Sequence, residues 1–72
     1  MATISYVLPV YNNAGSIQAS CEAIRTLFDA ELSMHSYEIV LVDDGSRDAS
    51  WEEMQAAAAA DSRVRLLRIT RN

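Results

Sequence analysis

Short apolar runs alternate along the chain with longer stretches in which apolar residues recur at helical spacing. Ile4 to Val10 (ISYVLPV) is nearly continuous in apolar β-formers, the pattern of a strand covered on both faces. Pro9 then belongs near the carboxyl end of that strand, where a ladder hydrogen bond can be spared. Asn12-Asn13-Ala14-Gly15-Ser16 carries turn and helix-cap chemistry. Beyond it, Ile17, Cys21, Ile24 and Phe28 recur at spacings of four, three and four, with Leu27 beside them. That spacing predicts one face of a helix running to Glu31 or Leu32.

Ser33 to Ser36 read as a loop, and Tyr37 to Val42 (YEIVLV) as a second strand closed by Asp43-Asp44-Gly45-Ser46. A second helix is predicted to start between Asp48 and Ser50. Ser50 and Glu53 have capping-box spacing there, and Glu52 adds favourable charge to the first turn. It continues through Met54 and the alanines Ala56 to Ala60, whose strong helix propensity and small size suit close packing on a sheet. Arg63 to Ile69 is the third strand, and Thr70, Arg71 and Asn72 begin a loop.

Strand, helix, strand, helix, strand with short links predicts right-handed crossovers and a parallel sheet, one half of a doubly wound α/β fold. Ligands of such sheets bind beyond the carboxyl ends of the strands. Those ends are Pro9 to Asn13, Asp43 to Ser46 and Thr70 to Asn72, where the polar and unusual residues gather.

Composition narrows the options. The chain has 72 residues, and residues 1–72 are expected to form a single partial domain of marginal stability. The net charge is −4; there is no lysine, and four of the six arginines (Arg63, Arg65, Arg68, Arg71) lie in the last ten residues. Such an acidic chain lacks the electrostatic footprint of a nucleic-acid binder. Cys21 is the single cysteine, so neither an internal disulfide nor a thiolate zinc site is expected, and helical spacing assigns it to the core. His35 reads as a solvated loop residue. No signal peptide and no apolar run near the roughly 20 residues of a membrane span are apparent. A cytoplasmic location is therefore expected, with any membrane attachment outside these residues.

Two segments carry candidate chemistry. In Val42-Asp43-Asp44-Gly45-Ser46-Arg47-Asp48, adjacent carboxylates end a buried strand, where they need donors or a positive partner. A carboxylate so placed can accept the ring N–H of uracil or guanine. Gly45 permits a tight turn, and Ser46 or Asp48 can cap the following helix. The plainer alternative is that Asp44 only makes an Asx-turn and Asp48 only caps. In Leu8-Pro9-Val10-Tyr11-Asn12-Asn13, an aromatic just past a strand end offers a surface for base stacking. The plainer alternative there is a tyrosine covering the sheet edge.

Several site types are excluded. A dinucleotide-binding turn needs more glycines than Gly15 and Gly45 supply, and a P-loop needs a lysine. An EF-hand from Asp44 would need glycine at position 49 and glutamate at 55, where Ala49 and Gln55 stand. A receiver domain would carry its paired aspartates on the first strand, with a lysine downstream.

Taken together, strand–P-V-Y-N, amphipathic helix and Y-E-I-V-L-V-D-D-G-S-x-D closely resemble the start of inverting, family 2 type glycosyltransferases of the GT-A fold. The resemblance spans nearly the whole chain and is nearest the polyprenyl- and dolichyl-phosphate sugar transferases. It implies a Rossmann-like three-layer β-α-β-α-β half of a GT-A nucleotide-diphospho-sugar transferase fold with a parallel sheet. It also implies a nucleotide site: Pro9 and Tyr11 line the pocket, with Tyr11 against the base. Asp44 reads the base, Asp43, Gly45 and Ser46 shape the turn, and Arg71 approaches the nucleotide. Asn13 departs from the family pattern, in which many relatives have an acidic residue. The implied donor is a UDP- or GDP-linked sugar, and the implied acceptor includes a lipid phosphate. A divalent cation (Mg or Mn) is expected for the full-length enzyme and none for this chain. The metal motif and the catalytic base of the family lie beyond residue 72, so no catalytic residue is assigned. The competing expectation is a non-catalytic α/β module that self-associates through an exposed sheet edge.

Overall fold

A computed structural model of the chain describes residues 3–31 and 36–69. Three strands, β1 (Thr3–Val10), β2 (Ser36–Asp43) and β3 (Val64–Arg68), alternate with two helices, α1 (Ile17–Glu31) and α2 (Ser50–Ala60). The strands form one sheet of order β1-β2-β3 with both pairs parallel. This is the α/β arrangement of a Rossmann-like GT-A half. The expected loop at residues 33–35, with His35, and the segment Thr70 to Asn72 lie outside the described residues.

The register explains the core. Leu41 pairs with Leu8 on one side and Leu66 on the other, and Ile39 pairs with Tyr6 and Val64. Side chains alternate along β2, so Tyr37, Ile39, Leu41 and Asp43 share one face, and all four are buried. On that face they meet Ile17, Cys21, Ile24 and Phe28 of α1 and Met54 of α2. The helical spacing of those α1 residues therefore marks its buried stripe, while Leu27, one residue round from Phe28, is exposed. Ala57 and Ala58 pack against the same core, as the small side chains of α2 allow.

Both helices thus lie on one face of the sheet, and the described residues make two layers. The reading of β1 as covered on both faces does not hold here. Val7 on β1 and Leu67 on β3 are each 58% exposed, and both lie on the face away from the helices. Pro9 sits near the carboxyl end of β1 as anticipated, and β1 is an edge of the three-stranded sheet. Val10 turns its carbonyl to β2, where it accepts from the Asp44 N–H (2.9 Å). Its neighbour Pro9 therefore points away from the ladder, and its missing N–H costs nothing.

The two ends of the sheet are closed differently. At the amino end, the Phe28 and Tyr37 rings stack with centroids 4.4 Å apart and planes 6° from parallel. The Arg63 guanidinium lies 4.6 Å over the Tyr37 ring and donates to its hydroxyl (2.6 Å). At the carboxyl end the closure is made of hydrogen bonds, described next.

Candidate functional site

β1 and β2 end in register, Val10 opposite Asp43, so Tyr11 and Asp44 each stand one residue past a paired position on neighbouring strands. The bond from Asp44 N–H to the Val10 carbonyl ties the two exits together. Tyr11 is 60% exposed and Asp44 is half-buried. The carboxyl rim thus presents a phenol ring and a carboxylate from segments 33 residues apart in sequence.

The two adjacent aspartates have separate environments, because successive strand residues face opposite ways. Asp43 turns toward the helices and is fully buried. Its Oδ1 accepts the Ser46 N–H (3.1 Å), which closes the turn over Asp44 and Gly45; Gly45 has φ +82, where an L side chain would be strained. Its Oδ2 is buried without an aligned hydrogen bond, and its compensation is the Arg68 guanidinium, whose Nε lies 3.2 Å away. Arg68 in turn lies 4.6 Å over the ring of Trp51, on the first turn of α2. One buried carboxylate therefore clasps the ends of β2 and β3 and the start of α2. Asp43 and Ser46 hold the turn, and Asp44 is what the turn presents.

The loop after β1 is fastened side chain by side chain to the segment after β2. The N–H of Tyr11 donates to Asn13 Oδ1 (2.7 Å), that of Asn12 to Ser46 Oγ (2.9 Å), and that of Asn13 to Ser50 Oγ (2.8 Å). Ala14 N–H donates to Asp48 Oδ2 (3.1 Å), and Gly15 N–H to both carboxylate oxygens of Glu53 (2.9 and 2.8 Å). Arg47 N–H donates back to Asn12 Oδ1 (2.9 Å). Asn12 has φ +51 and Gly15 φ +94, so the loop takes a left-handed path that these bonds hold in place. Asn tolerates that region better than most residues because its short polar side chain bonds locally.

This lattice has a chemical consequence. Five successive backbone N–H groups, from residue 11 to residue 15, are consumed by the protein's own oxygens. The first loop is therefore not a phosphate cradle of the kind a glycine-rich turn makes. At the rim stand the exposed Tyr11 ring and the half-buried Asp44.

Some details depart from the sequence reading. Ser50 and Glu53 do not form a capping box. The N-cap of α2 is Ala49 and makes no side-chain bond; Ser50 N–H donates to Asp48 Oδ1 (2.9 Å), and Ser50 Oγ also donates to Asp48. Glu53 is drawn away to Gly15. These bonds from Ser50, followed by that from Ala14, hold the Asp48 carboxyl below the usual aspartate range. Asn13, where many relatives carry an acidic residue, takes the Tyr11 N–H of its own loop. Of the residues singled out for the site, Pro9, Tyr11, Asp43, Asp44, Gly45 and Ser46 gather at this rim, and Arg71 lies outside the described residues. Asn12, Glu53 and Arg68 were missed. The first had a visible signal in the Asn-Asn-x-Gly turn, whereas the partners of Glu53 and Arg68 are distant in sequence.

Cavities are small here. A hollow of about 50 Å³ beside Pro9, lined also by Asn13, Ser16 and Ile17, has room for only about one or two waters. A cleft of about 160 Å³ lies elsewhere, between the helices, against Gln18, Cys21, Arg25, Glu53 and alanines of α2. Burial pushes the Cys21 thiol above its ordinary value, as a core role requires. Among the described residues no three His, Cys, Asp or Glu side chains converge as a metal site. Asp43 and Asp48, the carboxylates on either side of the turn, are already held by Arg68, Ser46, Ser50 and Ala14. Among the described residues, the carboxylates so held do not fit a divalent cation. No helix among the described residues is long and apolar enough to cross a membrane.

Comparison with known proteins agrees with this arrangement. The sequence pattern of glycosyl transferase family 2 matches residues 5–72. An undecaprenyl-phosphate 4-deoxy-4-formamido-L-arabinose transferase of Pseudomonas fluorescens (strain Pf0-1) is 43% identical over 63 residues, 78% of this chain and 16% of that protein. Proteins of the same name from Yersinia pestis (strain Pestoides F) and Yersinia pseudotuberculosis serotype O:3 (strain YPIII) are 43% identical over 70 residues, 96% of this chain and 21% of theirs. The chain spans roughly a fifth of the length of these curated relatives. With a parallel β-α-β-α-β unit, the P-V-Y-N and V-D-D-G-S segments at one rim, and a family match over nearly every residue, the chain belongs to glycosyl transferase family 2.

Proposed function

We propose that this chain is the nucleotide-binding portion of a glycosyltransferase that takes a sugar from a UDP- or GDP-linked donor. The observation that carries this reading is the pairing of Val10 with Asp43, which sets Tyr11 and Asp44 side by side at the carboxyl rim of a family 2 chain. Tyr11 stacks on the base and Asp44 accepts its ring N–H, while Pro9, Gly45, Ser46 and Asp43 form the floor and the turn. Arg71, which lies outside the described residues, completes the proposed set as a contact to the nucleotide. The relatives are named as undecaprenyl-phosphate sugar transferases, which supports a polyprenyl phosphate as the acceptor; the enzyme would then act at the cytoplasmic face of a membrane. The diphosphate, the divalent cation (Mg or Mn) and the general base belong to the rest of the enzyme, and these residues alone do not transfer sugar.

Titration of the chain with UDP and GDP tests this. Stacking is worth about 1–3 kcal/mol per base and a charge-assisted hydrogen bond about 1.5–3. Binding is therefore expected in about the millimolar range. Asp44→Ala should weaken it about tenfold. Unchanged affinity in that variant removes Asp44 from the pocket, and submicromolar metal-independent binding would mean that phosphate contacts lie within the chain. A second reading, a self-associating module without nucleotide affinity, is favoured by the exposed Val7 and Leu67 on the open sheet face. Oligomers on size-exclusion chromatography with no response to either nucleotide would support it.

A further inference from the structure

Ser50 and Glu53 have capping-box spacing in the sequence, but α2 has Ala49 as its N-cap, and the Glu53 carboxylate reaches across to Gly15, 38 residues away. The helix start it leaves is served by Asp48, which accepts the Ser50 N–H. Gly15 is the last loop amide held by the β2–α2 segment, and α1 begins two residues later at Ile17. Between it and Tyr11 lies the left-handed Asn12, in a conformation that residues other than glycine take only rarely. The loop's own contribution is small: Asn13 Oδ1 takes the Tyr11 N–H, and the Asn13 carbonyl takes the Ser16 N–H (3.1 Å) and hydroxyl (2.9 Å). Everything else that fixes it comes from the β2–α2 segment, and Glu53 holds the far end.

We infer that Glu53 is a positioning residue for the Tyr11 wall of the nucleobase site: by fixing Gly15 it sets the path that aims the phenol ring over the rim. This rests on the nucleotide reading above. Reach is what matters in this role, and charge is secondary. Glutamine keeps an oxygen at the same distance, whereas aspartate keeps the charge and the favourable helix-start position but withdraws the oxygens by one methylene.

The test uses the 72-residue chain with Glu53→Gln and Glu53→Asp, alongside Tyr11→Ala and Asp44→Ala. NMR follows the UDP affinity, the upfield ring-current shifts of the uracil H5 and H6 protons, and the exchange of the Gly15 amide. Glu53→Asp is expected to speed Gly15 exchange, weaken UDP about tenfold and reduce the ring-current shifts, with the Ile39 and Leu41 amides unchanged. Glu53→Gln is expected to stay within about threefold of the parent chain in affinity, with the shifts retained. If Glu53→Asp frees the Gly15 amide but leaves affinity and ring-current shifts intact, Glu53 is a structural tie only and the inference fails while the base site stands. If the parent chain binds neither UDP nor GDP, or if Tyr11→Ala and Asp44→Ala do not weaken binding, the nucleotide reading itself fails and takes the positioning role with it. Loss of the shifts in Glu53→Gln as well as Glu53→Asp would also overturn the assignment, because reach alone would then not suffice.

Discussion

The two ends of the sheet solve the same problem with different materials. At the amino end, Phe28 and Tyr37 stack under the Arg63 guanidinium, and closure is by ring contact and burial. At the carboxyl end, closure is by side-chain oxygens of Asn13, Ser46, Asp48, Ser50 and Glu53 that take backbone N–H groups, with the buried Asp43 against Arg68 beneath. Ring contact is non-directional and tolerates small shifts. Hydrogen bonds to particular N–H groups specify one backbone path. The amino end therefore secures the fold, and the carboxyl end secures the geometry of what it presents.

The largest effect should come from the amino end. Phe28 is 2% exposed, and its ring makes the stack with Tyr37. Phe28→Ala should cost about 3–5 kcal/mol, most of the stability that a domain of this size has. Urea denaturation with far-UV circular dichroism should find the variant largely unfolded without denaturant. A loss below about 1 kcal/mol would mean that the amino end is not the anchor and would erase the contrast.

A smaller effect is expected at the carboxyl end. Asp43→Asn keeps an oxygen for the Ser46 N–H but puts an amide where Arg68 needs a carboxylate. Breaking a fully buried pair costs about 3–5 kcal/mol, but the Arg68 side chain is 46% exposed and water can take up part of its charge. About 1–2 kcal/mol is therefore expected, roughly the worth of one charge-assisted bond. The sharper readout is local: the Ser46 and Ile69 amides, which donate to Asp43 Oδ1 and to the Asp43 carbonyl, should exchange faster, while those around Tyr37 should not. Equal change at both ends would show that the two rims open as one unit.

The difference between the rims also explains what could be read from the chain in advance. The strands and helices followed from apolar spacing, and the buried stripe Ile17, Cys21, Ile24 and Phe28 from period alone, because burial on one face leaves a period in the sequence. The rim position of Tyr11 and Asp44 followed from parallel topology. The partner of Glu53 did not follow. Ser50 and Glu53 satisfy a local rule, and a contact to Gly15 at long range overrode it. The open face of the sheet was misread for a related reason. An apolar run such as Ile4 to Val10 records that both faces are suited to burial, without saying which part of a protein covers them.

The smallest effect separates the rims by pH. Asp48 accepts from Ser50 and Ala14 at the carboxyl end, and those bonds favour its ionised form, so its folded-state value lies below that of an unfolded aspartate, about 3.9. The sign follows from linkage. The bonds stabilise the fold fully above the unfolded value and fade as pH falls through the lowered folded value. Asp48 is exposed, so the effect is small and local. Glu38, also lowered, by the Ser5 hydroxyl and then by Arg65, responds in the same direction. A carbon-detected NMR titration should give an Asp48 midpoint below about 3.9, with the Ala14 and Ser50 amide shifts following the same curve. Asp48→Asn should flatten those two amide curves and leave the Glu38 titration untouched. The Phe28–Tyr37 stack lies at the opposite end of the sheet from Asp48, so ring shifts of Phe28 should not follow the Asp48 curve. If instead the ring shifts move with the Asp48 midpoint, the stack and the hydrogen-bonded rim are coupled, and the separation between an end that secures the fold and an end that sets the geometry is lost.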